Sequence, residues 1–86
     1  MDKTILPKDQ EIFPSCLGSA RERQGLTQAK IAERLGETQS FISKRERGER
    51  RLDIVEARAF CRAMGVNFVE FVTGFDRRAE GGGATS

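Results

Sequence analysis

Residues 27–48, TQAKIAERLGETQSFISKRERG, constrain the fold more than any other stretch of this chain. Thr27 is a good N-cap, because its hydroxyl can accept a hydrogen bond from an orphan amide of the first helical turn. Leu26 before the cap and Ile31 beyond it are placed to form a hydrophobic staple. Ile31, Ala32 and Leu35 then share one apolar face. Gly36 ends the helix, since glycine reaches left-handed dihedrals without a Cβ clash. Thr38 caps a second helix, predicted to end near Arg47 with Gly48 just beyond it. The stretch therefore reads as two short helices joined by a tight turn.

Winding residues 38–47 at about 100° per residue sorts the second of these helices into two sides. Phe41 and Ile42, with Arg45 between them, lie on one; Gln39, Ser40, Ser43, Lys44 and Arg47 lie on the other. The outer side is short amides and hydroxyls edged by cations, where a merely solvated helix would more usually show Glu and Lys. Gln and Ser can pair with base edges in a DNA major groove, and Lys and Arg can reach guanine or phosphate. On this helix alone, an ordinary polar surface accounts for the pattern equally well.

The net charge is only +2, which by itself does not suggest nucleic acid. Its distribution says more. Residues 39–51 hold Lys44, Arg45, Arg47, Arg50 and Arg51 against Glu46 and Glu49, a local net of +3. Residues 1–11 hold Asp2, Asp9 and Glu11 against Lys3 and Lys8, a local net of −1. A local basic patch is what a phosphate backbone attracts, although many charge runs are only solvated surface.

Taken from Gln28, the stretch QAKIAERLGETQSFISKRER resembles the helix-turn-helix of the Cro and lambda-repressor (XRE-type) family of bacterial and phage regulators. In that family the first position is very often Gln, the fifth small, the ninth Gly, and the fifteenth and eighteenth apolar. Gln28, Ala32, Gly36 and Ile42 match. Ala32 would let the two helices cross closely, Gly36 would turn the corner, and Ile42 would fill the angle between them. Arg45 departs from the pattern. Its methylene stem is expected to cover the core while the guanidinium snorkels out toward a phosphate, at some cost in packing. The flanking GLTQ (25–28) and SKRERGE (43–49) resemble the family too, as does the segment 53–75. The resemblance covers about residues 12–75. It implies an all-α fold, a compact five-helix lambda-repressor-like DNA-binding domain. It also implies an ion pair between Arg21, seven residues before Gln28, and Glu46, which would set the angle of the first helix on the third.

The rest of the chain is consistent with one small domain, since 86 residues allow little more. Residues 1–12 are expected to form an N-terminal arm, residues 13–75 the helix-turn-helix domain, and the Gly-rich 76–86 a disordered tail. A first helix is placed at about 14–24, opened by Pro14, which suits a helix start and disfavours helical dihedrals at Phe13. Phe13, Leu17 and Ala20 would form its inner side, and Gly18 would mark a close helix contact. Asp53 and Asn67 open a fourth and a fifth helix, with Glu56 and Glu70 completing capping boxes. Ile54, Ala57, Phe60, Cys61 and Met64 make the inner face of the fourth, which Gly65 ends. The fifth, NFVEFVTG, stops near Gly74. Phe68, Val69, Phe71, Val72 and Phe75 are more apolar surface than a domain this size can bury, which makes them a candidate dimer interface. The competing reading is core beneath the first helix.

Several function classes lack their residues. There is no His, no phosphate loop and no GxSxG, so neither catalysis nor a metal site has a scaffold. Cys16 and Cys61 are too far apart for a metal pair and read as core thiols in a reducing compartment. No apolar run is long enough to cross a membrane, and MDKTILPKDQEIF lacks a signal-peptide core. The expectation is a cytoplasmic, nucleoid-associated protein of bacterial or phage origin, without a cofactor.

The resulting expectation is a sequence-specific transcriptional regulator, a repressor and homodimer on a palindromic operator in double-stranded DNA. Gln39, Ser40 and Lys44 would read bases, while Thr27, Gln28, Ser43, Arg47, Arg50 and Arg51 would hold phosphates. The resemblance implies that Gln28 also buttresses Gln39. The alternative is a protein-interaction module, such as an antitoxin or a restriction–modification controller component, using the apolar patch of the fifth helix for another protein.

Overall fold

The computed structural model describes residues 7–84, with side chains over residues 10–80. α1 spans Pro7–Arg23, α2 Gln28–Leu35, α3 Gln39–Glu46, α4 Ile54–Met64 and α5 Phe68–Ala84. Among the described residues there is no strand.

Local signals account for most of the boundaries. The side chains of Thr27, Thr38, Asp53 and Asn67 accept from the amides of Lys30, Phe41, Glu56 and Glu70 at 2.8–3.1 Å. Each thereby satisfies a donor that the helix itself cannot. Gly36, at φ 69°, turns the corner between α2 and α3, and the Glu37 amide donates back to the Ala32 carbonyl at 2.9 Å. That is the Schellman closure, and it needs the left-handed residue.

The core draws on every helix. Leu17 and Ala20 of α1, Ile31 and Ala32 of α2, Ile42 of α3, Ala57, Phe60, Cys61 and Met64 of α4, and Phe71 of α5 are all buried. α1 packs against α3, α4 and α5, while α2 packs against α3 and α4. Ile42 has no exposed surface and sits where the resemblance placed a filler of the interhelical angle. Burying such a side chain stabilises the fold by about 1.5–3 kcal/mol.

Four expectations are corrected. First, α1 starts at Pro7, so Pro14 lies inside it and residues 7–12 are helical; residues 1–6 of the expected arm lie outside the described residues. It is Pro7 that takes the first-turn position, where a missing N–H costs nothing. Pro14 removes one helical hydrogen bond, but its buried ring packs against the backbone of Gly48, and Ser15 Oγ donates to the Ile12 carbonyl at 2.8 Å. Phe13, held in helix by this arrangement, meets Phe75 edge-on and Phe71 at a tilt, with ring centroids 4.9 and 5.8 Å away.

Second, α5 does not stop near Gly74. Residues 76–84, expected to be disordered, continue it, and of the expected tail residues 85–86 lie outside the described residues. Gly74 costs about 1 kcal/mol in a helix, yet no proline follows it, and Arg77, Arg78, Ala79 and Glu80 are favourable to helix. Arg78 also reaches back to the hydroxyls of Ser15 and Ser19 in α1 at 3.4–3.5 Å.

Third, Ile54 is 67% exposed instead of joining the inner face of α4. Fourth, the Glu56 carboxylate turns to Arg45. Asp53 alone therefore makes the side-chain cap of α4.

Candidate nucleic-acid interface

α2 and α3 are locked together by the buried Ile31, Ala32 and Ile42, which leaves the opposite side of α3 facing outward. Gln39, Ser40 and Arg47 are exposed there, and Ser43 and Lys44 are half-buried. The face contains no large apolar side chain. It offers amide, hydroxyl and cationic groups at helical spacing, the chemistry that base edges and phosphates accept.

Behind this face runs a hydrogen-bonded chain. Gln39 Nε2 donates to Gln28 Oε1 at 3.4 Å, and Gln28 Nε2 donates to Glu46 Oε1 at 3.0 Å. Glu46 in turn accepts from Arg21 Nε at 2.7 Å and Arg21 Nη2 at 3.1 Å, a bidentate pair in which the side chains are only 13% and 10% exposed. Paired this way, two hydrogen bonds set geometry as well as energy. The third arm of Arg21, Nη1, donates to the Leu26 carbonyl at 3.0 Å, so one guanidinium ties α1, the loop before α2 and the end of α3. The hydrogen bond to Glu46 raises Arg21 above the ordinary arginine range. Gly18 belongs to the same arrangement: a Cβ built there would lie 3.1 Å from Glu46 Oε1.

The positioning candidates differ in how free they are. Thr27 accepts from Lys30 as a cap, which leaves its own hydroxyl proton to donate. Gln28 gives one amide hydrogen to Glu46 and keeps a second. Ser43 and Arg47 are engaged with each other at 2.7 Å, and Arg47 also pairs with Glu49 at 2.9 Å. The Arg47 hydrogen bond lowers the Glu49 carboxyl below its ordinary value. This pair is exposed and therefore weak, so a phosphate could compete for Arg47. Arg50 and Arg51 are exposed on the loop after α3.

Arg45 is a correction. Its guanidinium does not snorkel out toward the phosphate side. It lies 3.8 Å from the centre of the Phe41 ring and donates to Glu56 at 3.1 Å, closing α3 onto α4. Periodicity revealed that Arg45 was half-buried, but not its partner on another helix.

The candidate dimer residues separate into two groups. Phe71 is buried in the domain's own core, and Phe68 and Phe75 are half-buried against it, so they are not a free patch. Val69 is 70% exposed and Val72 37%, with Ile54 and Val55 exposed on α4 as well. The sequence put Ile54 on the inner face and gave no reading of Val55, because a single helix period could not show which way α4 is rotated.

The two cysteines are buried free thiols. Burial pushes Cys61 up to about 11 and raises Cys16 too, against the pull of Arg78. A thiol kept protonated and out of water is a packing residue, not a nucleophile. Among the described residues no helix is long and apolar enough to cross a membrane.

Comparison with known proteins decides the family. The HTH_3 family, described as helix-turn-helix, matches residues 17–71. The chain belongs to the HTH_3 family. Its helix-turn-helix is of the XRE type, whose members are DNA-binding transcriptional regulators and not enzymes. The chain is 36% identical over 67 residues to an uncharacterized HTH-type transcriptional regulator, y4dJ, of Sinorhizobium fredii (strain NBRC 101917 / NGR234), a match covering 78% of this chain and 87% of the relative. Among solved structures, it resembles an XRE-family like protein from Pseudomonas syringae pv. tomato str. DC3000. That likeness has a TM-score of 0.75 at 37% identity and covers 83% of this chain and 87% of the other. The clp gene regulator ClgR from C. glutamicum shares the fold, with a TM-score of 0.75 at 22% identity over 83% of this chain and 92% of that one.

Proposed function

We propose that this protein is a sequence-specific repressor that binds a palindromic operator as a homodimer in the cytoplasm of its host. α3 enters the major groove with its N-terminal half foremost. Gln39 pairs with an adenine, and Ser40 and Lys44 read neighbouring bases. Thr27, Gln28, Ser43, Arg47, Arg50 and Arg51 hold phosphates and set the register. Occupying a promoter is then enough to exclude polymerase, and no chemistry is required.

The observation that carries this reading is the outward Gln39 amide, braced by Gln28 on a helix whose inner side is locked by Ile42. Membership of the helix-turn-helix family supports it. The test is in vitro selection from random duplex DNA, with the selected pool re-bound at two salt concentrations. The expected product is a palindromic consensus with half-sites about ten base pairs apart. Weak, salt-sensitive binding without enrichment would overturn it. The exposed valines of α5 also suit a second reading, in which the apolar face binds a different protein, as in an antitoxin or a restriction–modification controller.

A further inference from the structure

We propose that Glu46 is a positioning residue for base recognition: through Gln28 it dictates which way round the Gln39 amide is presented, favouring adenine over guanine. The inference rests on the reading of Gln39 as the adenine-contacting residue.

The argument follows from what each group can donate. A carboxylate paired in a bidentate fashion with a guanidinium offers only acceptors, whereas a primary amide has an NH₂ at one end and an oxygen at the other. Both oxygens of Glu46 are held by one guanidinium, through Arg21 Nε and Nη2 at 2.7 and 3.1 Å. It sits against Gly18, where even a methyl group would crowd it. The end of Gln28 that faces Glu46 must therefore be its NH₂, at 3.0 Å. Reversing that amide would set oxygen against carboxylate. The Gln28 oxygen is thereby turned to Gln39, and it can be met only by a donor, Gln39 Nε2 at 3.4 Å. One N–H of Gln39 is occupied. What remains for DNA is one oxygen and one N–H, an acceptor beside a donor.

Adenine presents the complement in the major groove, an N6 amino donor beside the N7 acceptor. Guanine presents two acceptors, N7 and O6, and would need both N–H groups of Gln39. Reaching both would break the bond to Gln28 or force the whole chain of amides to reverse. A half-buried carboxylate behind the recognition face thus biases recognition at one base pair. Replacing it with a neutral amide removes the bias, because that amide can donate or accept toward Gln28.

The experiment measures full-chain binding to the selected operator and to the same operator with G·C replacing A·T at the pair assigned to Gln39. A substitution at a second, distant pair serves as control. Glu46→Gln and Gln28→Met are each expected to lower the adenine-over-guanine ratio about three- to tenfold, the worth of one neutral hydrogen bond. The control ratio is expected to stay constant. Gln28→Met also loses a phosphate contact, but that loss falls equally on both operators and cancels in the ratio. It leaves the Arg21–Glu46 pair in place, so it carries the test alone should Glu46→Gln fail to fold by its circular dichroism melt. Gln39→Ala should abolish the preference. If Gln39→Ala does so while the folded Glu46 and Gln28 variants keep the wild-type ratio, the positioning role is wrong and the adenine reading stands. Equal changes at the test and control pairs would also overturn it, since they mark a general structural effect. A wild-type ratio in Gln39→Ala would overturn the adenine reading and this inference together.

Discussion

Arg45 shows how a cation on a helix with a polar, cationic outer face can belong to the fold. Its stem runs past the half-buried Phe41, its guanidinium covers the Phe41 ring at 3.8 Å, and Glu56 receives it at 3.1 Å. Each contact helps offset the cost of holding a half-buried charge away from bulk water. Arg45 and Glu46 are each neutralised by a partner outside residues 39–51, Glu56 and Arg21, so the local net of +3 rests on Lys44, Arg47, Arg50 and Arg51 against Glu49. Arg45→Met keeps the length of the stem and removes the charge. Stability should change by no more than about 1 kcal/mol, because the Glu56 carboxylate left behind is 31% exposed and can turn to water, and partly exposed ion pairs contribute little. The salt dependence of DNA binding should not change. A fall in that slope by about one would place Arg45 on a phosphate after all.

At the scale of the helix, α1 is decided by what it packs against more than by its own residues. Gly18 is poor for helix, and Ala there should gain about 1 kcal/mol by propensity. The methyl group, however, would approach Glu46 Oε1 to 3.1 Å, and that carboxylate is fastened by Arg21 and Gln28. Overpacking of this kind costs about 1–3 kcal/mol. Gly18→Ala is therefore expected to lower the thermal midpoint by a few degrees. A higher midpoint by differential scanning calorimetry would show that Glu46 yields easily. The same dependence on packing explains α1 beyond Pro14 and α5 beyond Gly74. Phe13 closes on Phe71 and Phe75, so the N-terminal part of α1 and the middle of α5 are held by each other.

For the whole molecule, the question is what covers the exposed valines. Phe71 lies in the core, so substitutions there test folding. Val69 lies outside it. Val69→Glu should leave the circular dichroism melt almost unchanged and shift the mass, measured by sedimentation, from dimer to monomer. Affinity for a two-half-site operator should fall far more than affinity for a single half-site, because linked half-sites gain from an effective local concentration. A wild-type protein that stays monomeric at high concentration would favour a different protein partner on that face.

The helix-turn-helix was legible because its signals are local. Thr27, Thr38, Asp53 and Asn67 each cap an amide three residues away, Gly36 turns a corner that only φ > 0 allows, and Ile31, Ala32 and Ile42 follow one helical period. The sequence by itself determined these elements and the outward face of α3, since spacing within one helix determines both. It did not determine that Arg45 would pair with Glu56 or that Gln28 would also bond Glu46, 11 and 18 residues away on other elements. Nor did it determine whether Phe71 or Val69 would face solvent, or how far α1 and α5 would run. Those depend on how each helix is rotated and seated against its neighbours. Only the packed tertiary structure decides that, because single-residue propensities of about 1 kcal/mol or less are outweighed by the burial of whole side chains.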